Sequence, residues 1–255
     1  MRKDFISAFF FLIFVLSFRS FLYADEPVVL TTSDGYQIHG TYLPHQNARA
    51  SILLIHMLGR NRSDWKDFAN FLERSGYKSL AIDLRGHGES QSEKGGKKNW
   101  KDLSKRDFKR MVEDVDSAYR FLKEKGENKP IFIIGASIGA NLALIYTSQH
   151  PEVSGAILLS PGLTYHDIKI ARYASQYKAR PLLLVVAQDD EYSLMSTRYL
   201  MDLVKTEDKM LKEYPTGAGH GTQIFDFKPA HPKEIALKLF LLDWLEKKSS
   251  LKSKK

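Results

Sequence analysis

Pro130-Ile-Phe-Ile-Ile-Gly-Ala-Ser-Ile-Gly-Ala-Asn-Leu-Ala-Leu-Ile-Tyr146 joins two unlike halves. Ile131 to Ile134 is a short β-branched and aromatic run, the pattern of a strand buried on both faces. From Ile138 onward Leu142, Ala143, Ile145 and Tyr146 recur at helical spacing. Gly135-Ala-Ser137-Ile-Gly139 lies between them, a G-x-S-x-G pentapeptide at a strand-to-helix junction. So sharp a turn strains its middle residue and needs minimal side chains two positions to either side. It also exposes the serine hydroxyl at the first turn of a helix, whose free N–H groups favour developing negative charge. A small-residue turn can be mere packing; the strand before and the helix after favour a reactive serine.

Working outward, the 255-residue chain has room for one sizeable core, and 43% hydrophobic with 27% charged residues is a globular composition. It has no cysteine, which excludes disulfides, thiolate metal sites and a cysteine nucleophile. The net charge of +8 is concentrated in Lys94 to Arg110 and in the tail from Lys247 to Lys255. With no nucleic-acid-binding module beside them, these runs read as solvated surface, with at most weak association with a membrane surface. No nucleic acid partner is expected.

Met1-Arg-Lys3 precedes the apolar run Phe5 to Phe18, and Ala24 offers a small residue before Asp25. This is the pattern of a secretory signal peptide cut near Ala24, giving a periplasmic or secreted protein. An uncleaved N-terminal membrane anchor is the alternative, although the run is short for a bilayer span and Arg19 interrupts it.

From Val28 the chain alternates strands and helices. Val28–Thr32 and Tyr36–Leu43 flank the hairpin signal Asp34-Gly35. Ser51–Ile55 is a buried strand, followed by a helix capped by Ser63 or Asp64 and ended by Gly76. Lys78–Leu84 leads into Asp83-Leu-Arg-Gly-His-Gly-Glu-Ser90 and a basic loop to about Lys101. Phe108, Met111, Val115, Ala118 and Leu122 mark a long amphipathic helix ended by Gly126. After the elbow come strands at Ala156–Ser160 and Pro181–Ala187, a helix from about Ser193 to Val204, a strand Met210–Tyr214 and a helix Pro232–Lys247. Solid apolar strands alternating with helices mean one doubly wound, mostly parallel α/β domain with helices on both faces and an N-terminal antiparallel hairpin.

A serine nucleophile needs a base and a group that orients the base. Downstream of Ser137, two strand ends supply them: Ala187 runs into Gln188-Asp-Asp-Glu191, and Tyr214 into Pro215-Thr-Gly-Ala-Gly-His220-Gly221. The order serine, acid, histidine is that of the α/β-hydrolases. From about Val28 to Trp244 the chain resembles that superfamily, and in particular small bacterial dienelactone-hydrolase-like and serine-aminopeptidase-like esterases. His56-Met-Leu-Gly59 resembles the HGxG oxyanion loop, Asp83 to Ser90 the D-x-R-G-x-G-x-S loop, Gly135 to Gly139 the elbow and Gly219-His-Gly221 the histidine loop.

The resemblance implies an α/β-hydrolase fold over residues 25–248, with 1–24 as leader, 249–255 as basic tail and no large lid domain. It implies Ser137 as nucleophile, His220 as general base and Asp190 as the acid, with Asp189 and Glu191 as rivals. Backbone N–H groups of Leu58 and Ile138 would form the oxyanion hole; Met57, standing where the family has glycine, reduces the freedom of that loop. His56 and His87 are expected to support loops, and no histidine spacing suggests a metal site. No metal or other cofactor is expected. The short stretch between Gly162 and Pro181 predicts an open site, with Met57, Tyr165 and Tyr192 on a substrate rim near Leu58, His166 and Tyr173. The expected activity is an exported serine hydrolase cleaving a small-molecule carboxylic ester. Peptidase or thioesterase chemistry on the same triad, or a non-catalytic protein binding a ligand or an envelope partner, are the alternatives.

Overall fold

A computed structural model describes residues 25–93, 96–126, 128–229 and 235–250. The leader and most of the tail therefore lie outside the described residues. Eight strands form the central sheet: β1 (Glu26–Thr31), β2 (Gln37–Leu43), β3 (Ser51–Ile55), β4 (Lys78–Ile82), β5 (Ile131–Ala136), β6 (Gly155–Leu159), β7 (Leu182–Ala187) and β8 (Lys209–Tyr214). Their spatial order is β1-β2-β4-β3-β5-β6-β7-β8. The β1–β2 and β2–β4 pairs are antiparallel, and every other pair is parallel.

Among the described residues six α-helices pack on the sheet: α1 (Lys66–Arg74), α2 (Lys105–Lys125), α3 (Ile138–Gln149), α4 (Ala171–Gln176), α5 (Glu191–Leu203) and α6 (Leu237–Ser250). Strand side chains alternate between two cores. Leu53, Ile133 and Leu184 pack with Met111 and Val115 of α2 and Leu142 of α3. Leu54, Ile134 and Val185 pack on the other face with Phe68 and Leu72 of α1 and Leu241 and Trp244 of α6. Burial on both faces is why these strands are continuous apolar runs, each buried Leu or Ile contributing about 1.5–3 kcal/mol.

Register puts the chemistry at one edge. Ile55 pairs with Gly135, Ala136 with Leu159, and Leu159 with Val185, so β3, β5, β6 and β7 end side by side. The loops that follow them carry His56–Gly59, Ser137, Ser160 and Asp190, at the carboxyl edge where parallel sheets bind ligands.

Three expectations shift locally. The first helix is not capped by Ser63 or Asp64. A 3-10 turn, Arg62–Trp65, precedes α1, and Asn61 caps that turn by accepting from the Ser63 N–H at 2.9 Å. Asp64 instead takes a two-pronged ion pair from Arg60. The last helix runs from Leu237 to Ser250, beyond its expected end at Lys247; its expected start at Pro232 lies outside the described residues, and the Tyr214 hydroxyl donates to the Ile235 carbonyl (2.8 Å) just ahead of it. The stretch after Gly162 holds a small hairpin, Thr164–Tyr165 with Ile168–Lys169, and then α4. This is a short cap rather than a lid domain. The basic run is partly neutralised, with Lys98 on Asp107, Lys105 on Asp167 and Arg110 on Asp34 and Glu113.

The D-x-R-G-x-G-x-S loop is a buried polar knot beneath the site. Arg85, almost wholly buried, takes Asp114 through its Nε and Nη2 and Asp34 through Nη1, and stacks on Tyr36. Burial alone would depress the guanidinium pKa; the two carboxylates outweigh it and raise it. Asp83 receives the backbone N–H of Arg62 and of Glu89, fastening this loop to the one after β3.

Candidate active site

The elbow has the strain its sequence implied. Ser137 adopts φ 54, ψ −118 between β5 and α3, a left-handed conformation costly for a residue with a side chain. Gly135 and Gly139 make it possible. A Cβ on Gly135 would sit 2.1 Å from the Gly139 carbonyl oxygen, and one on Gly139 2.5 Å from that of Ile55. The Ser137 N–H is held by the Leu159 carbonyl at 2.8 Å. Among the described residues, neither the Ile138 nor the Leu58 amide N–H is engaged in a hydrogen bond. Ile138 opens α3, where an amide has no intrahelical acceptor.

Asp190 and His220 come together across thirty residues of sequence, Asp190 Oδ2 lying 2.6 Å from His220 Nδ1. An ionised carboxylate only accepts, so Nδ1 carries the proton and Nε2 presents its lone pair. Burial pushes the Asp190 carboxyl up, but its hydrogen bond with His220 and the neighbouring Ser160 and Ser193 hydroxyls bring it below its ordinary value. Asp190 is thus ionised at neutral pH. Asp189 is exposed and accepts the Gly217 N–H at 2.8 Å, holding the start of the histidine loop. Glu191 is exposed on the first turn of α5. No direct hydrogen bond joins His220 to Ser137 among the described residues; the two loops are tied through β6. Gly221 N–H donates to Ser160 Oγ (2.9 Å), one residue beyond the Leu159 carbonyl that holds Ser137.

Ser160 and Ser193, both fully buried, were not singled out from sequence. Ser160 follows β6 as Ser137 follows β5, a small polar residue at the active edge of the sheet, and that position was a legible signal. Ser193 lies three residues past Asp190 on the first turn of α5.

The rim residues divide. Met57 is buried beneath the histidine loop, its sulfur 3.9 Å from the Thr222 hydroxyl. Tyr192 is half exposed, but its hydroxyl both receives the Thr164 N–H and donates to the Thr164 carbonyl, clamping the cap hairpin to α5. Tyr165 points inward: its hydroxyl is 3.2 Å from Ser193 Oγ and interacts with Ser137. His166 stacks on Phe108 (4.2 Å), and Tyr173 lines a separate hollow of about 380 Å³ with Val112, Leu142 and Ile145. Among the described residues no group of histidine, aspartate and glutamate side chains could hold a metal ion.

His56 and His87 support the loop that follows β3. His56 Nδ1 donates to the Met57 carbonyl (2.6 Å) and its Nε2 accepts the Leu84 N–H (2.9 Å). His87 Nδ1 donates to the Arg85 carbonyl and its Nε2 accepts the Gly59 N–H, both at 3.0 Å. Both rings are neutral. Burial lowers each pKa to about 4, helped at His87 by its neighbour His56. Below pH 6.5 the unfolded chain therefore binds protons that the folded one refuses, so their contribution is complete above pH 6.5 and disappears as pH falls through 4. The expected loss is on the order of 2–3 kcal/mol per ring, less than additive for touching rings. Urea unfolding at pH 7, 5.5 and 4.5 measures it, and His87→Gln should flatten the slope. An unchanged slope would mean that other groups cause the loss.

A strained serine elbow, an acid–histidine pair at adjacent strand ends and this strand order define an α/β-hydrolase. Residues 46–180, more than half of the chain, match the serine aminopeptidase S33 family, and the chain belongs to that family. It is similar to the monoglyceride lipase of Rattus norvegicus, 25% identical over 140 residues that cover 54% of this chain and 44% of the rat protein. The match thus spans less than half the length of that relative. Among solved structures it resembles an esterase of Pyrococcus furiosus (TM-score 0.68, 19% identity, 88% of this chain and 93% of that one). It also resembles a soluble variant of monoglyceride lipase from Saccharomyces cerevisiae in complex with a substrate analogue (TM-score 0.70, 18% identity, 88% and 95%). At these identities the structural likeness is one of fold.

Proposed function

We propose that this protein is an exported serine hydrolase that cleaves a carboxylic ester through a covalent acyl-enzyme. The observation that carries the reading is the 2.6 Å Asp190–His220 pair at the same sheet edge as a strained, nearly buried Ser137. In this reaction His220 Nε2 takes the Ser137 proton as Oγ attacks the ester carbonyl carbon. The oxyanion so formed sits on the N–H groups of Ile138 and Leu58. The intermediate collapses, the C–O bond to the alcohol breaks, and His220 returns the proton to the departing oxygen. Water, activated by the same imidazole, then attacks the acyl-enzyme and releases the acid. Asp190 stays ionised throughout, holding the imidazole tautomer and stabilising the imidazolium.

An ester substrate is supported by the relatives, which are named monoglyceride lipase and esterase. Open access is supported by the short cap. Export is supported by the apolar run Phe5 to Phe18 ahead of Ala24.

The test is to label the native protein with a fluorophosphonate probe and read the modified peptide by mass spectrometry. The expected result is one adduct, on Ser137, lost in His220→Ala. A folded protein with no adduct would overturn the hydrolase and favour a ligand-binding protein on the same fold. The same spectra read the N-terminus: a start at Asp25 is expected, and an intact Met1 would replace export by an uncleaved anchor.

A further inference from the structure

The hollow beside Tyr173 shares no lining residue with the elbow, Asp190 or the histidine loop; it lies in the seam where the cap meets the helices beneath it. Val112 of α2, Leu142 and Ile145 of α3 and Ile168 of the cap hairpin wall it, enclosing about 380 Å³, a volume that suits a small ligand. Leu142, Ile145 and Ile168 are buried, so the walls are apolar well below the surface.

The rim is of opposite character. Lys109, Lys169 and Arg172 stand exposed around it, three cations against one carboxylate, Asp167. That carboxylate is already engaged by Lys105 at 3.0 Å, and Lys109 and Lys169 make no ion pair of their own among the described residues. Arg172 is fixed in place: its guanidinium lies 4.5 Å from the Tyr173 ring centroid and donates to the Tyr173 hydroxyl. A planar cation is thus held at the edge of an apolar hollow, ready for a carboxylate. The complement of an apolar interior under a cationic rim is one alkyl chain with one anionic end. A bilayer fits less well. The exposed large apolar side chains, among them Met195 and Tyr199 of α5, Met210 of β8 and Leu239 of α6, lie on other elements, so this rim has none to insert into lipid.

We propose that the hollow is a binding site for an alkyl carboxylate, a medium-chain fatty-acid anion whose chain lies between α2, α3 and the cap hairpin and whose carboxylate meets Lys109, Lys169 and Arg172. The site is separate from the Ser137 edge and stands whether or not that serine is a nucleophile. Ile168 pairs with Tyr165 across the cap hairpin, so an occupant ties the cap to the helices beneath it.

The experiment has two parts. Decanoate carrying a diazirine at its chain end is photolysed on the native protein below its micellar concentration, and the crosslinked peptides are read by mass spectrometry. Saturable crosslinks to α2, α3 or the cap hairpin, competed by plain decanoate, are expected. Crosslinks confined to the loops around Ser137 and His220, or no saturable crosslink, would overturn the proposal. Calorimetry then compares variants, with a thermal melt as control for folding. Lys109→Glu/Lys169→Glu should weaken decanoate by about 10-fold or more, and Val112→Phe, which narrows the hollow without touching a charge, should weaken it too. Lys123→Glu/Lys205→Glu, the same charge change at exposed positions elsewhere, should stay within about twofold of the native protein. Equal losses in the two charge variants would mean long-range attraction without a site, and decyltrimethylammonium binding as tightly as decanoate would mean an apolar surface without charge selection; either overturns the proposal. Binding to phosphatidylglycerol vesicles that is lost in Lys109→Glu/Lys169→Glu, with no binding of decanoate itself, would replace the fatty-acid site by a membrane contact.

Discussion

Ser137→Ala abolishes ester turnover, lowering kcat by on the order of 10⁴-fold or more while leaving the fold intact. Both halves of that expectation have a structural cause. In the proposed mechanism the hydroxyl is the atom that attacks; Ser160, the other described serine with a positive φ, is buried and its Oγ accepts the Gly221 N–H. The fold survives because the strain belongs to the backbone: alanine at φ 54 meets the same left-handed penalty that serine already carries, and Gly135 and Gly139 still clear the turn. Residues that act as a unit are not additive, so Ser137→Ala/His220→Ala should be little worse than Ser137→Ala alone. Turnover of a p-nitrophenyl ester, with a thermal melt as control, checks both points. Near-native turnover in a folded variant would remove Ser137 from the mechanism.

Asp190→Asn should cost on the order of 10³–10⁴-fold in kcat, by analogy with other triads, whereas Asp189→Asn should cost no more than a few-fold. The two carboxylates are adjacent in sequence, yet only Asp190 receives His220 Nδ1. An asparagine amide in its place offers N–H groups to the imidazole, favours the wrong tautomer and withdraws the charge that stabilises the imidazolium. Asp189 receives only the Gly217 N–H, an interaction that an asparagine carbonyl preserves. Single-turnover rates for the two variants separate the cases. A larger loss in Asp189→Asn would reassign the acid.

Much of this organisation was legible in the residue order, and the reasons differ by feature. The strands were readable because burial on both faces demands unbroken apolar runs, as in Ile131–Ala136 and Leu182–Ala187. The elbow was readable because two carbonyl oxygens occupy the space of the missing Cβ atoms. The Asn61 cap was not, because Asn61, Ser63 and Asp64 are all capable caps and only the 3-10 turn at Arg62–Trp65 selects among them. The cap hairpin escaped notice because it pairs only two residues on each side.

By itself, the sequence determined the alternation of strands and helices, the sharp turn around Ser137 and the polar residues that follow the neighbouring strands. These are local properties, written in periodicity, in glycine spacing and in which residues follow each strand. Only the tertiary structure decided which carboxylate meets His220, that Ser160 joins the elbow to the histidine loop, and that of the two rim tyrosines Tyr165 alone turns its hydroxyl inward. Each of those outcomes depends on the relative height and direction of strand ends brought side by side by long-range sheet pairing. Neighbours in sequence such as Asp189 and Asp190 then differ by which way the chain faces as it enters α5, and no local pattern records that direction.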